Sequence, residues 1–342
     1  MEKQEDILFV ESSISLKHLG QVIQLVGEIP YFVEKNVRIK RIWELPFGLT
    51  NFNFGIAVNG EKYALRIAAP GSWEYIDRPA EKHAATLMAE IGVSPKVYYY
   101  DEKRGDQVTE YIDGKTLHKP DFRDPEIVKM AARLFHKFHN SGKEFIAEFN
   151  PFIVKGEYLQ IIRAKNVQMY EEHDLIWDKV AEIEEIFKIN PPRSVPCHND
   201  PLAENWMLDE RGLWIIDWEY CGMNDPFFDL GDFISEVELI PEVEKVFIEE
   251  YFGGKISWED YGRLVIGKLM CNALWELWSL VQIANDKPFD EYWEFGLSKV
   301  KKAMKLMSSP VFEKCLQAVR EGWEEPIWLD EDILNSVSIV AV

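Results

Sequence analysis

Hydrophobic and polar residues alternate with two different periods along this chain. In the first third of the chain the period is that of β-strands. Runs with strand character occupy residues 37–45, 51–59, 62–68, 96–101 and 107–112. The second and third runs are joined by Asn59-Gly60, a dipeptide typical of two-residue hairpins. Apolar residues at helical spacing predict helices at 15–27 and 78–92. We therefore expect a small antiparallel sheet with a helix packed on it.

Helical spacing dominates from Asp124 onward. The predicted helices span residues 124–140, 156–172, 176–188, 241–252, 257–285, 289–307 and 310–321. One insert between Pro196 and Pro226 interrupts them, and its short apolar runs at 205–208 and 213–217 predict a hairpin.

This change of spacing predicts an α+β protein with two lobes. Residues 1–112 would form a small, antiparallel-sheet N-lobe and residues 113–342 a large, mainly helical C-lobe, joined near 109–114. A chain of 342 residues with 47% apolar content is long enough for two cores. A ligand is expected in the cleft between such lobes.

Charge and cysteine usage narrow the classes of partner. Asp and Glu outnumber Lys and Arg by 59 to 38, which gives a formal charge of −21. This charge repels phosphate backbones, so we expect no nucleic acid partner. The longest apolar runs are interrupted by charges, so we also expect no stable membrane insertion. Four cysteines without a C-x-x-C pair, and no secretory signal, indicate free thiols and a cytoplasmic location.

The candidate chemistry is concentrated in the predicted insert. His198, Asp200 and Asn205 form the pattern H-x-D-x-x-x-x-N, and Asp217 follows the second apolar run of the hairpin. Phosphoryl transfer from ATP to a hydroxyl needs a carboxylate at the hydroxyl and oxygen ligands for Mg²⁺. Asp200 is the candidate for the first role, and Asn205 and Asp217 are candidates for the second. The alternative is a turn in which these side chains only cap backbone groups.

Two overlapping segments carry a resemblance to a known family. CHNDPLAENWMLDERGLWIIDWEY (197–220) and IDWEYCGMNDPFFDLGDFISE (216–236) resemble motifs of the choline/ethanolamine kinases, within the aminoglycoside-phosphotransferase superfamily of protein-kinase-like folds. The similarity extends from about Leu45 to Trp293. It implies a two-lobed protein-kinase-like fold, ATP and Mg²⁺ as cofactors, and a small cationic alcohol, choline or ethanolamine, as the acceptor.

The resemblance also implies a nucleotide loop in the N-lobe. ELPFGLTNFNF (44–54) is similar to the loop of the family, in which Gly48, Thr50 and Asn51 would approach the phosphates. A glycine-bearing turn lets backbone N–H groups reach phosphate oxygens. Taken alone, the same letters also fit a plain hairpin turn.

Further nucleotide contacts follow from position in the family pattern. Arg66 stands where protein kinases have a lysine, and a guanidinium can hold phosphate oxygens with a bidentate fork. Glu81 would pair with Arg66, and the backbone from Glu110 to Ile112 would bind adenine as the hinge does in the family.

Other residues of the pattern are expected to support the site. The resemblance implies that His198 buttresses the catalytic loop, that Asp229 anchors it, and that Glu219 lies near the metal. His136 and His139 are spaced for a shared helix face, but no third ligand stands near them in the sequence, so we expect a structural role.

Two tryptophans suggest how the acceptor is recognised. Trp275 and Trp278 are three residues apart on one predicted helix face, a spacing that most often marks a core stripe. They also match the W-x-x-W of the family's choline pocket, where aromatic rings attract a quaternary ammonium. Phe289 and Tyr292 are the candidates to complete the pocket, although Trp293 and Phe295 also follow. Glu236 would add an anionic wall.

Alternatives remain at the level of the sequence. A kinase of the same fold could act on thiamine, an aminoglycoside or another amino alcohol. A catalytically silent nucleotide-binding protein is the alternative of another class, but it predicts loss of one of Asp200, Asn205, Asp217 or Arg66, and all four are present.

Two segments have no place in this interpretation. Gly262-x-x-x-x-Gly267-Lys268 is nearly a phosphate-binding loop, but Leu269 replaces the required Ser or Thr and the pattern lies in a predicted helix. The tail at 323–342 either packs on the large lobe or mediates self-association, so a homodimer is a further expectation.

Overall fold

The computed structural model describes residues 9–35, 37–45, 51–68 and 76–340, and its chain separates into two compact units. The first unit comprises Met1–Thr116 and Glu204–Glu219, and the second comprises Leu117–Ala203 and Tyr220–Val342. The predicted boundary after residue 112 is thereby corrected in two respects. The first unit continues to Thr116, and it includes the hairpin that the sequence analysis assigned to the helical lobe, because strand Lys115–Thr116 pairs with that hairpin.

A six-stranded sheet forms the centre of the first unit. Its strands are β1 (Phe9–Val10), β2 (Ile39–Glu44), β3 (Phe52–Val58), β4 (Glu61–Ile67), β5 (Val97–Tyr100) and β6 (Gln107–Glu110). Their order is β1-β2-β3-β4-β6-β5, and all neighbours are antiparallel except β1 and β2, which are parallel. The prediction of a purely antiparallel sheet was wrong for β1, because two residues are too few to show an alternating pattern.

Among the described residues of the first unit, this sheet is accompanied by helices α1 (Leu16–Glu28), α2 (Pro30–Glu34) and α3 (Arg78–Glu90). Ser15 and Asp77 cap α1 and α3 by accepting backbone N–H groups of the first turn. The α1 face and the sheet share one apolar core, which includes Val22, Leu25, Phe32, Phe54, Ile56, Leu65 and Val108. The predicted hairpin at Asn59-Gly60 is confirmed, with the positive φ values of 50° and 89° that such a turn requires.

The remaining strands are short: β7 (Lys115–Thr116), β8 (Val195–Cys197), β9 (Trp206–Asp209), β10 (Gly212–Ile215) and β11 (Gly222–Asn224). Strands β7, β9 and β10 form a second antiparallel sheet in the first unit. Strands β8 and β11 pair in the second unit, on either side of the predicted catalytic loop in sequence. The antiparallel pairing of β9 with β10 confirms the predicted hairpin.

Helices build the second unit. They are α4 (Pro125–His139), α5 (Pro151–Ala164), α6 (His173–Ile189), α7 (Pro226–Glu236), α8 (Pro241–Phe252), α9 (Trp258–Ala284), α10 (Phe289–Met307), α11 (Pro310–Glu321) and α12 (Glu331–Ser336). Short 3₁₀ turns occur at Lys119–Arg123 and at Ala203–Asn205.

Helix α9 is the core of the second unit. It packs against α5, α7, α10 and α11, and nearly all of its side chains are buried. A helix that is apolar on all sides needs such a central position. By length and composition α9 could also span a membrane, but 94% of its most apolar window is buried inside the protein.

One predicted helix is displaced by several residues in the structure, and helices α2, α7 and α12 are absent from the prediction. The helix predicted at 156–172 begins earlier and ends earlier, because Asn150 caps it and Pro151 opens it. Helix α7 was missed altogether. Every residue from Pro226 to Glu236 is buried, so the segment has no polar face to reveal a helical period.

Glycines allow α7 and α9 to approach at backbone distance. A methyl group added at Gly231 would overlap the backbone of Gly267, and one added at Gly267 would overlap the Phe227 carbonyl oxygen. The two helices therefore meet where neither has a side chain.

The phosphate-loop-like pattern and the tail both take part in packing. The ammonium group of Lys268, fully buried, forms an ion pair with Glu244 and lies 3.4 Å from the Val337 carbonyl oxygen. Tail residues Ile327, Leu329, Leu334, Val337 and Ile339 are buried, so the tail packs on the second unit. The rejection of a phosphate site at this pattern agrees with the burial of its lysine.

Candidate active site

The two predicted metal ligands lie at the open end of the β9–β10 hairpin. Trp206 pairs with Ile215 in this hairpin, and the N–H of Ile216 donates to the Asn205 carbonyl oxygen at 2.9 Å. This register brings the backbone of Asn205 beside that of Asp217. Asp217 itself adopts a left-handed φ of 69°, which a non-glycine residue rarely does outside a turn or a functional site.

A buried chain of hydrogen bonds fixes the backbone around Asp217. The Trp218 indole N–H donates to Ser94 Oγ at 2.7 Å, and the Ser94 hydroxyl donates to the Ile215 carbonyl oxygen at 2.6 Å. The Ile215 N–H donates in turn to the Val93 carbonyl oxygen at 3.2 Å. The segment after α3 therefore holds the hairpin end in place.

Asp217 belongs to a cluster of charged side chains, which we call the ionic group. Its other members are Arg66, Arg78, Glu81 and Glu219. The expected pair is present: Arg66 Nη2 lies 2.6 Å from Glu81 Oε1, and both side chains are buried. Arg78 Nη1 lies 2.6 Å from Glu81 Oε2 and 2.9 Å from Glu219 Oε1. Arg66 Nη1 lies 3.4 Å from both the Asp217 and Glu219 carboxylates. The two cations thus connect all three acids.

Tyr100 and Gly105 orient the Arg66 guanidinium. Its Nε and Nη2 donate to the Gly105 carbonyl oxygen at 3.3 and 3.1 Å, and Nη2 also donates to the Tyr100 hydroxyl at 3.1 Å. Gly105 has a φ of 83°, and an added Cβ would lie 2.6 Å from Arg78 Nε. Only glycine fits beside the two guanidinium groups, and the remaining edge of Arg66 is left facing Asp217 and Glu219.

The chemistry of this group suits Mg²⁺. Carboxylate oxygens of Glu81, Asp217 and Glu219 all lie within 4.8 Å of one another. Partial burial and the Glu219 carboxylate raise the pKa of the Asp217 carboxyl, while Arg66 opposes the shift. Closely spaced carboxylates that repel one another are stabilised by a divalent cation, and Mg²⁺ prefers oxygen ligands. Asn205, 8% exposed, offers a neutral oxygen nearby in the chain.

Only part of the predicted nucleotide loop can be placed. Gly48 and Thr50 lie outside the described residues. Asn51 is buried, and its Nδ2 donates to Glu219 Oε1 at 3.2 Å. The amide of Asn51 therefore joins the end of β3 to the ionic group.

The residues predicted to bind adenine lie at the end of β6. The Glu110 N–H donates to the Lys96 carbonyl oxygen at 2.8 Å, and its carboxylate pairs with Arg211. Ile112 is buried, with 3% of its surface exposed. An adenine contact of this backbone stays a prediction.

In the second unit, Asp229 of α7 binds the backbone of the predicted catalytic loop. Its carboxylate accepts the N–H groups of His198 and Asn199 at 2.7 and 2.5 Å. His139 Nε2 also lies 3.1 Å from Asp229, and His139 Nδ1 lies 2.9 Å from the Tyr251 hydroxyl. Burial lowers the pKa of His139, so the ring is neutral and serves as a structural hydrogen-bond partner.

The loop leaves Asp200 less buried than its neighbours. His198 and Asn199 are fully buried, whereas Asp200 is half-buried. The Asp200 N–H donates to His198 Nδ1 at 3.3 Å, which gives His198 the supporting position that the resemblance implies. Burial raises the pKa of the Tyr158 hydroxyl, and the Asp200 carboxylate adds to that shift. Tyr158 of α5 therefore shares the surroundings of Asp200.

Five aromatic side chains of the second unit form a connected ring group: Tyr220, Trp275, Trp278, Tyr292 and Phe295. Ring centroids are 5.6 Å apart for Tyr220 and Trp275, and 6.3 Å apart for Trp275 and Trp278. Trp278 also lies 5.8 Å from Tyr292 and 5.7 Å from Phe295. The indole N–H of Trp278 donates to the Tyr220 hydroxyl at 3.1 Å. The predicted pair of tryptophans is thus joined by rings from α10 and from the segment after β10.

Phe289 takes a different place from the one predicted. Its ring stacks on Trp293 at 5.3 Å, and Trp293 in turn contacts Tyr170 at 4.3 Å. The assignment of Phe289 to the ring group with Trp278 therefore needs correction. Helical spacing puts Phe289 and Trp293 four residues apart on the same face of α10, whereas Tyr292 faces α9.

Glu236 is neutralised within the protein. Its carboxylate forms an ion pair with the Lys299 ammonium, and both residues are buried. Lys299 holds the pKa of the Glu236 carboxyl below its ordinary value against the opposing effect of burial. The Lys299 ammonium also lies 4.7 Å from the centre of the Phe295 ring. The predicted anionic wall is therefore an internal ion pair beside the ring group.

Asp232, one turn before Glu236 on α7, contacts the ring group directly. The Trp275 indole N–H donates to Asp232 Oδ1 at 2.8 Å. Asp232 is fully buried, and its Oδ2 has no hydrogen-bond partner within the residues that the structure describes. Burial and the Glu236 carboxylate raise the pKa of Asp232 well above its ordinary value.

Comparison with known proteins identifies the family. The sequence profile of choline/ethanolamine kinases matches residues 43–251, which is more than half of the chain. This chain belongs to the choline/ethanolamine kinase family.

Individual relatives support the assignment. The chain is 28% identical over 271 residues to Protein LicA of Haemophilus influenzae, covering 76% of this chain and 78% of that protein. A choline/ethanolamine kinase family protein of Mesorhizobium loti has a similar structure, with a TM-score of 0.78, 33% identity, and coverage of 89% of this chain and 99% of that one. The choline kinase LicA of Streptococcus pneumoniae shares the fold, with a TM-score of 0.70, 24% identity, and coverage of 85% and 99%.

Membership of the choline/ethanolamine kinase family establishes a kinase with a protein-kinase-like fold and a small alcohol as acceptor. Several residues at its site were missed by sequence reasoning: Arg78, Tyr100, Tyr220, Asp232 and Lys299. Tyr220 and Asp232 stand inside the family segment 216–236, so attention to every polar or aromatic position of that segment would have found them. Lys299 carries no signal, because its partner Glu236 is 63 residues away.

Proposed function

We propose that this kinase transfers the γ-phosphate of ATP to the hydroxyl of choline and gives phosphocholine. The observation that carries the proposal is the ring group around Trp278, in which rings from three segments surround one indole. Aromatic faces attract a quaternary ammonium through the ring quadrupole, with about 0.5–2 kcal/mol per contact.

The distribution of charge near the ring group favours choline over ethanolamine. A primary ammonium carries three N–H donors that need acceptors when they leave water. Glu236, the acceptor that the sequence analysis named, is already occupied by Lys299. A trimethylammonium group donates no hydrogen bonds. Its binding is therefore not weakened when Glu236 is paired with Lys299. Ring faces therefore suit the substrate with three methyl groups better.

The proposal divides the chemistry among named residues. Asp200 would accept the hydroxyl proton of choline, and Arg66 would hold the nucleotide phosphates. Asn205 and Asp217 would hold Mg²⁺, with Glu219 beside them. The bound ion would neutralise charge on the β- and γ-phosphates. Thiamine and aminoglycosides are the competing acceptors within the same fold.

A coupled ADP-release assay with Mg·ATP tests the proposal. Choline, ethanolamine, thiamine and one aminoglycoside are compared as acceptors. We expect kcat/KM for choline to exceed that for ethanolamine by at least about tenfold, or ~1.4 kcal/mol of discrimination. A preference for ethanolamine would overturn the choice of acceptor but leave the kinase assignment intact. Turnover with thiamine or the aminoglycoside alone would contradict the proposal that the ring group binds the ammonium of choline.

A second experiment tests the role of Asp200. Asp200→Asn keeps the shape of the side chain but removes the base, and general-base contributions are typically about 10²–10⁴-fold. We expect kcat to fall by that factor while ATP binding, measured by calorimetry, stays within about twofold. Asp174→Asn, an exposed position on α6, is the matched control. Ordinary turnover in Asp200→Asn would exclude the proposed role.

A further inference from the structure

The C-terminal segment leaves one tryptophan outside the core of the second unit. The backbone of this segment is fixed, because the Ile327 N–H donates to the Ile256 carbonyl oxygen at 3.0 Å. Successive side chains of an extended segment point to opposite sides. Ile327 and Leu329 are each 7% exposed, whereas Trp328 between them is 85% exposed. The Trp328 indole therefore projects into solvent while its two neighbours contact the core.

An open pocket with a volume of about 250 Å³ lies beside Trp328. Its apolar wall consists of Ile248, Phe252, Ile256, Ile327 and Leu329. Pockets that hold drug-sized ligands usually have volumes of about 300–1,000 Å³, so this pocket suits a single large side chain better. An exposed apolar projection beside an apolar pocket, with polar residues around both, is typical of a surface that contacts another protein.

Charges around the projection and the pocket indicate which protein. Trp328 is followed by three acids at 330–332, the first of which also borders the pocket. Lys245, Glu249 and Lys255 border the pocket as well. The Lys245 ammonium lies 3.9 Å from the Glu249 carboxylate, whereas Lys255 is exposed and has no ion pair with any residue that the structure describes. The projection is thus followed by negative charge, and the pocket has a free positive charge beside it, so this surface is complementary to itself.

We propose that two copies of this chain associate about a two-fold axis, with the Trp328 indole of each copy in the pocket of the other copy. A two-fold axis places a surface patch against the same patch of the second copy. Each contact then occurs twice. Both indoles leave water, and each Lys255 ammonium faces the acids at 330–332 of the other copy. This association involves neither the acceptor nor the nucleotide, so it does not depend on the proposed function.

One projection and one pocket per copy make a small interface. Interfaces at the low end of the specific range bury less than about 1,200 Å² and are weak or transient. We therefore expect a dissociation constant on the order of 10 µM for the dimer. Tryptophan is enriched among the few residues that dominate the affinity of an interface, so the two Trp328 indoles should contribute most of it.

Analytical ultracentrifugation of the full chain between about 1 and 200 µM tests the proposal. We expect a monomer–dimer equilibrium for the wild type. Trp328→Ala should raise the dissociation constant by at least about hundredfold, because each dimer loses two indoles. A wild type that is monomeric at every concentration would overturn the proposal. Species larger than a dimer would also overturn it, because they indicate a head-to-tail contact without a two-fold axis.

Leu16→Ala is the matched control for the loss of an exposed apolar side chain. Leu16 is 87% exposed and lies on α1 in the first unit. We expect this variant to change the dissociation constant by less than about twofold, and both variants to melt within about 2 °C of wild type in dilute solution. A dimer that persists unchanged in Trp328→Ala would place the interface elsewhere and refute the proposal.

Lys255→Glu tests the charge complementarity. This variant places an acid opposite the acids at 330–332, so we expect the dissociation constant to rise by at least about tenfold at about 0.05 M salt and by less at about 0.5 M salt. Lys301→Glu makes the same change of net charge at another exposed position and should have an effect below about threefold. Equal effects of the two variants would show that only the overall charge matters and would refute the proposed arrangement.

Fluorine NMR of protein labelled with 5-fluorotryptophan follows the indole directly. The ¹⁹F resonance that disappears in Trp328→Ala belongs to Trp328. In dilute protein its frequency should differ between H₂O and D₂O, as expected for a ring in contact with solvent. At concentrations where dimers prevail, this difference should fall by at least about half, because the ring leaves water. A dimer in which the difference is unchanged has Trp328 outside its interface, and the proposal would be wrong.

Discussion

Arg66 and Glu81 form a buried ion pair in which Nη2 of the guanidinium lies 2.6 Å from Oε1 of the carboxylate. The pair joins β4 to α3, and the same Nη2 also donates to the Tyr100 hydroxyl and the Gly105 carbonyl oxygen. Nε and Nη2 of Arg66 are therefore bound by other groups of the protein, and Nη1 alone faces Asp217 and Glu219.

We expect Arg66→Lys to weaken the use of ATP. A lysine ammonium cannot keep the fork geometry that serves Glu81 and Gly105 while facing Asp217. The loss of one or two charge-assisted hydrogen bonds corresponds to a fall in kcat/KM for ATP of about ten- to a hundredfold. Initial rates at varied ATP measure the effect. Arg320→Lys, at an exposed pair with Glu182, is the control and should behave as wild type. An unchanged kcat/KM for ATP in Arg66→Lys would contradict the assignment.

Asp229→Asn is expected to destabilise the second unit. An amide replaces one carboxylate oxygen with an NH₂ group, so at least one of the buried N–H donors of His198 and Asn199 would face another donor. The cost of a buried unsatisfied group next to a former charge is about 2–4 kcal/mol. Urea unfolding measures it. Asp286→Asn, at an exposed position with positive φ, makes the same chemical change and should shift the free energy of unfolding by less than about 0.5 kcal/mol.

Glu238 gives the protein a pH-dependent contribution to stability. Lys119 and Lys302 bond its carboxylate at 3.0 and 3.1 Å, and despite the cost of burial they lower its pKa from 4.5 to about 2. The folded protein therefore binds fewer protons at this site than the unfolded chain between these pH values. The contribution is present in full above pH 4.5 and is lost as the pH falls through about 2.

Glu238→Gln should accordingly lower the free energy of unfolding at neutral pH. Because the side chain is about one-third exposed, we expect a modest difference from wild type of about 0.5–1 kcal/mol. Urea unfolding at pH 7, 5 and 3.5 should show a difference that shrinks only at the lowest value. A difference that is independent of pH would show that lost packing, not lost charge, is responsible.

Gly231→Ala and Gly156→Ala should have opposite effects on stability. A methyl at Gly231 overlaps the Gly267 backbone, and forcing α7 away from α9 should cost about 1–3 kcal/mol. Gly156 lies in α5 with open space around it, so alanine there should stabilise the protein by about 0.4–1 kcal/mol. Thermal unfolding of both variants measures the difference. A Gly231→Ala variant as stable as wild type would contradict the backbone contact of the two helices.

Local patterns allowed much of the fold to be predicted. The Asn59-Gly60 turn and the hairpin that ends at Asp217 follow from turn chemistry and short apolar runs. By contrast, α7 could not be predicted, because burial on all sides removes the alternation on which a helical period depends. The start of α5 is encoded in Asn150-Pro151, a cap followed by proline, whereas the apolar spacing further along the chain favours a later start.

The candidate site divides in the same way. Asp200, Asn205 and Asp217 are close in sequence, so a motif could name them. The partners of Glu236 and Trp275 are set by how α7, α9 and α10 pack. A charged residue of a pattern can be neutralised by a lysine from a distant helix, and Lys299 does this to Glu236. Which carboxylate has a cation as its partner is therefore a property of the packing.

The burial of Lys268 gives the protein a built-in chemical reporter. Lysine-acylating reagents reach an ammonium only when it meets water, and this one is enclosed by Glu244 and the carbonyl of Val337. Its rate of acylation would therefore measure how often the C-terminal segment detaches from the helical unit, while exposed lysines react at once. The lysine of the sequence that resembles a phosphate-binding loop thus reports the rate of local opening of the C-terminal segment.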